Sequence, residues 1–202
     1  MEHFECVEDR IAVRLVNTGK HKEFLETVPN FEFLDLSAVC FALMGTDPKA
    51  FNTVTITNEH LKEWNITQEH LFEKALDNTR KLMGVEISTL QQKVCEFADG
   101  LGDNPAGNYD TGTYVLTNKF NIFGAANILF SDVLDKCADI FGGDFRIVPS
   151  SVHEILMIPM DFYADTALLD MTITEINAID EPANNLAWHS YVYASDLHEV
   201  MI

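Results

Sequence analysis

Between Thr113 and Pro159 the spacing of apolar positions shifts from strand-like to helical and back. Tyr114, Val115 and Leu116 form a short β-forming run that ends at the turn pair Thr117-Asn118. Apolar residues then recur at Phe123, Ala126, Phe130, Val133, Leu134, Cys137 and Phe141, the spacing of one helical face. This predicts one helix of about 18 residues, roughly 27 Å long. Gly142-Gly143 ends it by supplying a left-handed position. Phe145 to Val148 reads as a strand, and Pro149-Ser150-Ser151 breaks it. Glu154 to Ile158 is nearly all apolar, as an inner strand covered on both faces would be, and Pro159 closes it.

Upstream, residues 3 to 9 suit a helical turn, and Ile11 to Val16 a strand with Ile11, Val13 and Leu15 on one face. Arg14 lies on the other face, as an edge residue or a buried charge seeking a carboxylate. Asn17 or Thr18 caps a helix over Lys20 to Thr27, stopped by Pro29. Phe33 to Met44 reads as a central strand paired with Phe51 to Thr57 across Gly45-Thr46-Asp47-Pro48. Asn58 is expected to cap Glu59 to Trp64. Thr67 caps Gln68 to Met83, with Leu71, Phe72, Ala75, Leu76, Thr79 and Leu82 inward. Residues 86 to 98 are expected to continue as helix. Near the C-terminus, Asp165 or Thr166 caps a helix that turns Leu168, Leu169, Ile173 and Ile176 inward. Trp188 to Tyr193 and His198 to Ile202 form a closing hairpin, with Tyr191 and Tyr193 on one face.

These elements predict an α+β fold: a mixed, mainly antiparallel sheet with helices packed on it, in two intimately packed halves. The halves span residues 1–98 and 113–202, joined by a Gly/Asp/Asn-rich linker at 99–112. A chain of 202 residues with 47% hydrophobic content sustains a core without staples. Its four cysteines, Cys6, Cys40, Cys95 and Cys137, form no CxxC, and Cys40 and Cys137 sit in apolar runs as buried free thiols. MEHFECVEDR has no signal-peptide pattern, and no apolar run reaches the roughly 20 residues of a membrane span, so a cytoplasmic protein is expected.

Charge narrows the function classes. There are 32 acidic residues against 13 lysines and arginines, a net charge of −19. Such a surface repels phosphate, so direct binding of nucleic acid or anionic lipid is disfavoured; it suits a basic partner, a cation, or simply solubility, which is the usual reason for such acidity.

Ser150, Ser151, His153 and Glu154 make the most enzyme-like cluster. A strand starting at Ser151 would place Ser151 and His153 on one face, within reach of a hydroxyl–imidazole contact. A hydrolase also needs a nucleophile on a sharp turn and an oxyanion hole, and no GxSxG elbow is present. The plainer reading makes the serines a turn, with His153 satisfying the strand entrance. Asp99, Asp103 and Asp110, with Asn104 and Asn108, are weak candidates for calcium, but their spacing does not match an EF-hand loop. The seven histidines include no HExxH pair, and no phosphate loop opens a helix, so no cofactor is expected.

Three stretches carry a family resemblance: RLVNTGKHKEFLETVPNFEFLDL, TITNEHLKEWNITQEHLFEKALDNT and YVLTNKFNIFGAANILFSDVLDKCADIFGGDFRIVPSSVHEILMIP. They resemble the bacterial domain of unknown function fifty-six eighty-eight, found in gut Gram-positive bacteria and their mobile elements. The region from Leu61 to Thr79 is distantly similar to YtpQ-type proteins. The resemblance implies an α+β domain and a further N-terminal family segment that is missing here. It supplies no reaction and no catalytic residues. The functional expectation is therefore a non-enzymatic interaction module, in its specific form a nucleic-acid mimic acting in phage–host conflict. The alternatives are a small hydrolase or transferase using Ser151 and His153, and an accessory self-association domain.

Overall fold

The computed structural model describes residues 3–44, 52–101, 112–162, 165–179 and 184–202. The chain forms two compact units, Met1–Gly84 and Val85–Ile202. It is an α+β protein, and every strand pairing among the described residues is antiparallel.

In the first unit a helical turn, α1 (Phe4–Val7), and a 3-10 turn (Glu8–Arg10) lead into β1 (Ile11–Asn17). A short helix, α2 (Lys22–Leu25), precedes β2 (Asn30–Phe33), β3 (Leu36–Met44) and β4 (Asn52–Thr55). β3 is the central strand. β1 pairs along one side of it (Ile11 with Ala42, Asn17 with Leu36), and β2 and β4 share the other (Asn30 with Val39, Phe41 with Thr55). The first seven residues of β3 are all buried, the pattern of a strand covered on both faces. β2 differs from expectation: Asn30 to Phe33 folds back on β3 through Leu34, whose positive φ of 56° makes a tight turn. The turn expected at Gly45 to Pro48 lies outside the described residues.

α3 (Asn58–Trp64) and α4 (Gln68–Met83) follow. The cap of α3 is Thr57 rather than the expected Asn58. Thr57 Oγ1 accepts from the His60 backbone N–H (3.4 Å), while His60 Nδ1 accepts from the Thr57 N–H (2.9 Å). Asn58 instead donates its amide to the Glu26 carbonyl (2.9 Å). α4 buries Leu71, Phe72, Ala75, Thr79 and Met83, close to the predicted face. It also covers the outer edge of β1, where the Val13 N–H donates to Thr79 Oγ1 at 2.9 Å. Arg14 stands half-buried on this edge strand and reaches the Thr55 hydroxyl at 3.3 Å, its pKa lowered by burial.

The second unit begins with β5 (Glu86–Thr89), where helix was expected. The alternating VEIST sequence pairs with β6, Glu86 opposite Thr117. Thr89 then starts α5 (Leu90–Leu101), with the Gln92 side chain accepting from the Thr89 N–H at 2.8 Å. β6 (Tyr114–Thr117), β7 (Phe145–Val148), β8 (Ile155–Pro159), β9 (Tyr191–Ala194) and β10 (Glu199–Met201) complete a sheet ordered β10-β9-β7-β8-β6-β5.

The long helix predicted between β6 and β7 is two pieces, a 3-10 helix (Gly124–Leu129) and α6 (Ser131–Phe141). Phe123 enters with φ 56°, and Phe130 between the pieces is extended (φ −105°, ψ 101°), so no continuous helix can form. Gly124 fixes the entry: a Cβ there would stand 2.5 Å from the His153 carbonyl oxygen and 2.8 Å from Thr117 Cα. α6 ends at Gly142, φ 75°, as predicted.

The two faces of this sheet are both covered. On one, Phe145 stacks on Phe141 of α6 (5.0 Å) and packs against Tyr193 (5.3 Å). On the other, Val148 and Ile158 pack with Leu169 and Ile173 of α7 (Thr166–Asn177). Each such buried side chain contributes about 1.5–3 kcal/mol. Arg146 shares the α7 face between Ile158 and Val192; it is 8% exposed, and its Nε is buried without a hydrogen-bond partner. Cys40 and Cys137 are buried free thiols; burial raises both, Cys137 to about 12.

Candidate functional site

The strand expected to start at Ser151 starts at Ile155, and residues 149 to 154 form a turn instead. Alternation therefore does not apply to Ser151 and His153. Ser151 Oγ accepts from the His153 backbone N–H (3.0 Å), and Ser150 Oγ donates to the Glu154 carbonyl (3.1 Å), so both hydroxyls serve local turn geometry. The imidazole points elsewhere. His153 Nδ1 accepts from the Phe123 N–H (3.3 Å), and the ring stacks on Phe123 at 5.8 Å and 19°. That bond places the proton of the neutral ring on Nε2. Thr117 Oγ1 donates to the His153 carbonyl (2.9 Å), which ties the turn to β6 beside Gly124. Glu154 lines a separate open cleft with Leu90, Lys93, Val94, Glu96 and Asn121, where Lys93 Nζ lies 3.3 Å from Glu96 and 3.2 Å from Asn121.

Asp103 and Asp110 lie outside the described residues. Asp99 falls in the backbone of α5, its side chain likewise outside the described set. Among the described residues no three His, Cys, Asp or Glu side chains are grouped to hold a metal, and no helix is long and apolar enough to cross a membrane.

A second polar cluster sits at the β9–β10 hairpin. Asp135 Oδ1 on α6 accepts from the Tyr193 hydroxyl (2.6 Å) and from His198 Nδ1 (2.6 Å). Those bonds, Tyr193 first, hold the Asp135 carboxyl below the usual carboxylate range. Burial, then the bond to Asp135, raises the Tyr193 phenol. Asp144 accepts from the Ser195 N–H (2.8 Å) and hydroxyl (2.7 Å), which lower its pKa in that order. His198 stands in the turn at φ 55°. Chemically the cluster clasps the hairpin to α6, and the alternation that puts Tyr191 and Tyr193 on one face was the one sequence signal bearing on it.

The third feature is α7 itself. Asp165 caps it, accepting from the Ala167 and Leu168 N–H groups (2.9 and 3.4 Å). Leu169 and Ile173 are inward as predicted, but Leu168 and Ile176 are not: they are 53% and 58% exposed. Leu168 and Ile176 sit a turn's fraction away from the buried pair, and one sheet face can cover only one stripe of a helix.

The model of a family of unknown function, DUF5688, matches residues 1–195. The chain belongs to that family. No curated protein and no solved structure matches the chain, and the distant similarity of Leu61 to Thr79 to YtpQ-type proteins gains no support there. As a family of unknown function, DUF5688 assigns the chain no reaction.

Proposed function

We propose that this DUF5688 chain is a non-enzymatic, acidic interaction module of the cytoplasm whose partner is a protein with a basic surface. One observation carries the reading: the carboxylate surplus of 32 against 13 is laid out in long stretches with little compensation. After Arg146 the sequence contains no lysine or arginine, yet holds Glu154, Asp161, Asp165, Asp170, Glu175 and four further acids. In the first unit, Glu59, Glu63, Glu69 and Glu73 are all exposed, spaced four apart along α3 and along α4. Such fields steer a basic partner and repel nucleic acid. In its specific form the module mimics nucleic-acid charge and blocks a nucleic-acid-processing protein during phage–host conflict.

The test is capture from host lysate at low and at moderate salt, followed by elution with duplex DNA or RNA. The expected result is a partner whose retention falls steeply with salt and which nucleic acid displaces. Recovery of no partner at either salt removes the reading, and a partner that nucleic acid does not displace removes the mimic version.

A further inference from the structure

We infer that the outer face of α7 is a docking ridge for an amphipathic segment of a partner protein, with an apolar stripe flanked by lysine or arginine. This rests on the reading of the chain as an acidic interaction module and assigns the surface that does the binding.

α7 is apolar on two sides. Leu169 and Ile173 are 4% and 3% exposed against β7 and β8, whereas Leu168, Met171, Ile176 and Ile179 are 53%, 61%, 58% and 89% exposed. Leu168 and Met171 are three apart, as are Ile176 and Ile179, so the four form two exposed apolar pairs, one near the start of α7 and one at and just past its end. Asp170, Thr172, Thr174 and Glu175 keep α7 from being apolar all round, yet among the described residues its second apolar side has no cover. The ridge is held rigidly. Asp170 Oδ1 accepts from the Ser190 N–H (2.8 Å) and hydroxyl (3.1 Å), and Asn177 donates to the Ala187 carbonyl (2.8 Å). Such a preformed surface spares a ligand part of the ordering cost of binding.

Charge selects the occupant. Beside Met171 an open groove is lined by Ala167, Asp170, Thr174 and Glu175, with two carboxylates and, among the described residues, no cation. Residues 147 to 202 contain nine acids and no lysine or arginine, so a second copy packed on the same ridge would set carboxylate against carboxylate. An anionic membrane meets the same repulsion. A helix that lays leucines on Leu168, Met171 and Ile179, with basic residues over Asp170 and Glu175, satisfies both surfaces.

The probe is a fluorescein-labelled amphipathic leucine–lysine peptide, titrated against the full chain by anisotropy. Its controls are the same peptide with glutamate in place of lysine, a peptide with the leucines scrambled, and phosphatidylcholine vesicles. The expected result is saturable binding of the leucine–lysine peptide alone, weakening between about 50 and about 300 mM salt. The double variant L168D/M171D should lose at least about tenfold in affinity. Glu69→Gln with Glu73→Gln, in the other unit, should retain the ridge's affinity. Peroxide oxidation of Met171 gives a readout that needs no variant, and bound peptide should slow it. Binding unchanged in L168D/M171D, or no protection of Met171, overturns the inference even when lysate capture succeeds. So does binding to the vesicles, or self-association in sedimentation that L168D/M171D abolishes. Failed lysate capture together with peptide binding at the ridge would instead sink the proposed function and leave the docking surface standing.

Discussion

The Tyr193 hydroxyl, buried on the α6 face of its sheet, donates to Asp135 Oδ1 at 2.6 Å. This bond joins a strand to a helix far away in sequence and anchors the C-terminal hairpin. Tyr193→Phe is expected to lower the melting temperature of the second unit by roughly 2–4 °C. Because Asp135 is held below the ordinary carboxylate range, its contribution is present above that range and is lost as pH falls through the lowered value. Amide exchange of residues 195 to 201 should therefore accelerate in acid, and Asp135→Asn should flatten that dependence. Exchange indifferent to both changes would show that the hairpin is held by backbone pairing alone.

Val13 offers the second test. Its N–H faces outward from β1 and is satisfied by Thr79 Oγ1. Thr79→Val keeps the shape but orphans a buried donor, at a cost of about 1–3 kcal/mol in urea unfolding. Thr79→Ser retains the hydroxyl and should cost less than half as much. Equal losses would assign the effect to packing.

His60 makes α3 sensitive to pH. Burial lowers its pKa, and its Nδ1 must be unprotonated to accept the Thr57 N–H. A depressed imidazole adds stability above the unfolded value near 6.5 and loses it as pH falls through the folded value. Exchange at Thr57 to Leu61 should rise on acidification below neutrality, before the carboxylates titrate. His60→Gln, which can still accept through its side-chain oxygen, should remove that step.

Arg146 is costly as it stands. Its Nε is desolvated without a partner, in a position flanked by Ile158 and Val192. Arg146→Met keeps most of the stem's packing and removes the charge, and should raise stability by about 1 kcal/mol or more. A loss in chemical denaturation would show that the guanidinium is compensated in solution.

Much of this architecture was legible in the sequence because local pattern and tertiary burial agree. The short apolar runs at Ile11 to Val16, 114, 145 and 155 and the helical face of Gln68 to Met83 each carry the signature of one element type. The misses have a common cause. The spacing from Phe123 to Phe141 is helical, yet the close approach of Gly124 to Thr117 and His153 breaks the helix, and no local pattern encodes that contact. Thr57 outcompeted Asn58 as a cap because His60 returns a second bond, a reciprocity visible only three residues on. β5 was lost to helix because the periodic run after Thr89 masks the four residues before it. Among the candidate residues, the turn made by Ser150 and Ser151 follows the plainer sequence reading, but the expected hydroxyl–imidazole contact is absent because the direction of the His153 ring depends on Phe123, thirty residues earlier. Asp135, Tyr193 and His198 meet only through folding, 58 and 63 residues apart.

The run without lysine or arginine after Arg146 also governs what chemistry can see the C-terminal quarter. Trypsin has no site there, and amine-directed crosslinkers have no handle, so α7 and the final hairpin stay silent in any footprint that relies on basic side chains. Reagents that activate carboxyl groups or oxidise thioethers reach Glu175 and Met171, both exposed, and would read an event at this surface that lysine chemistry passes over.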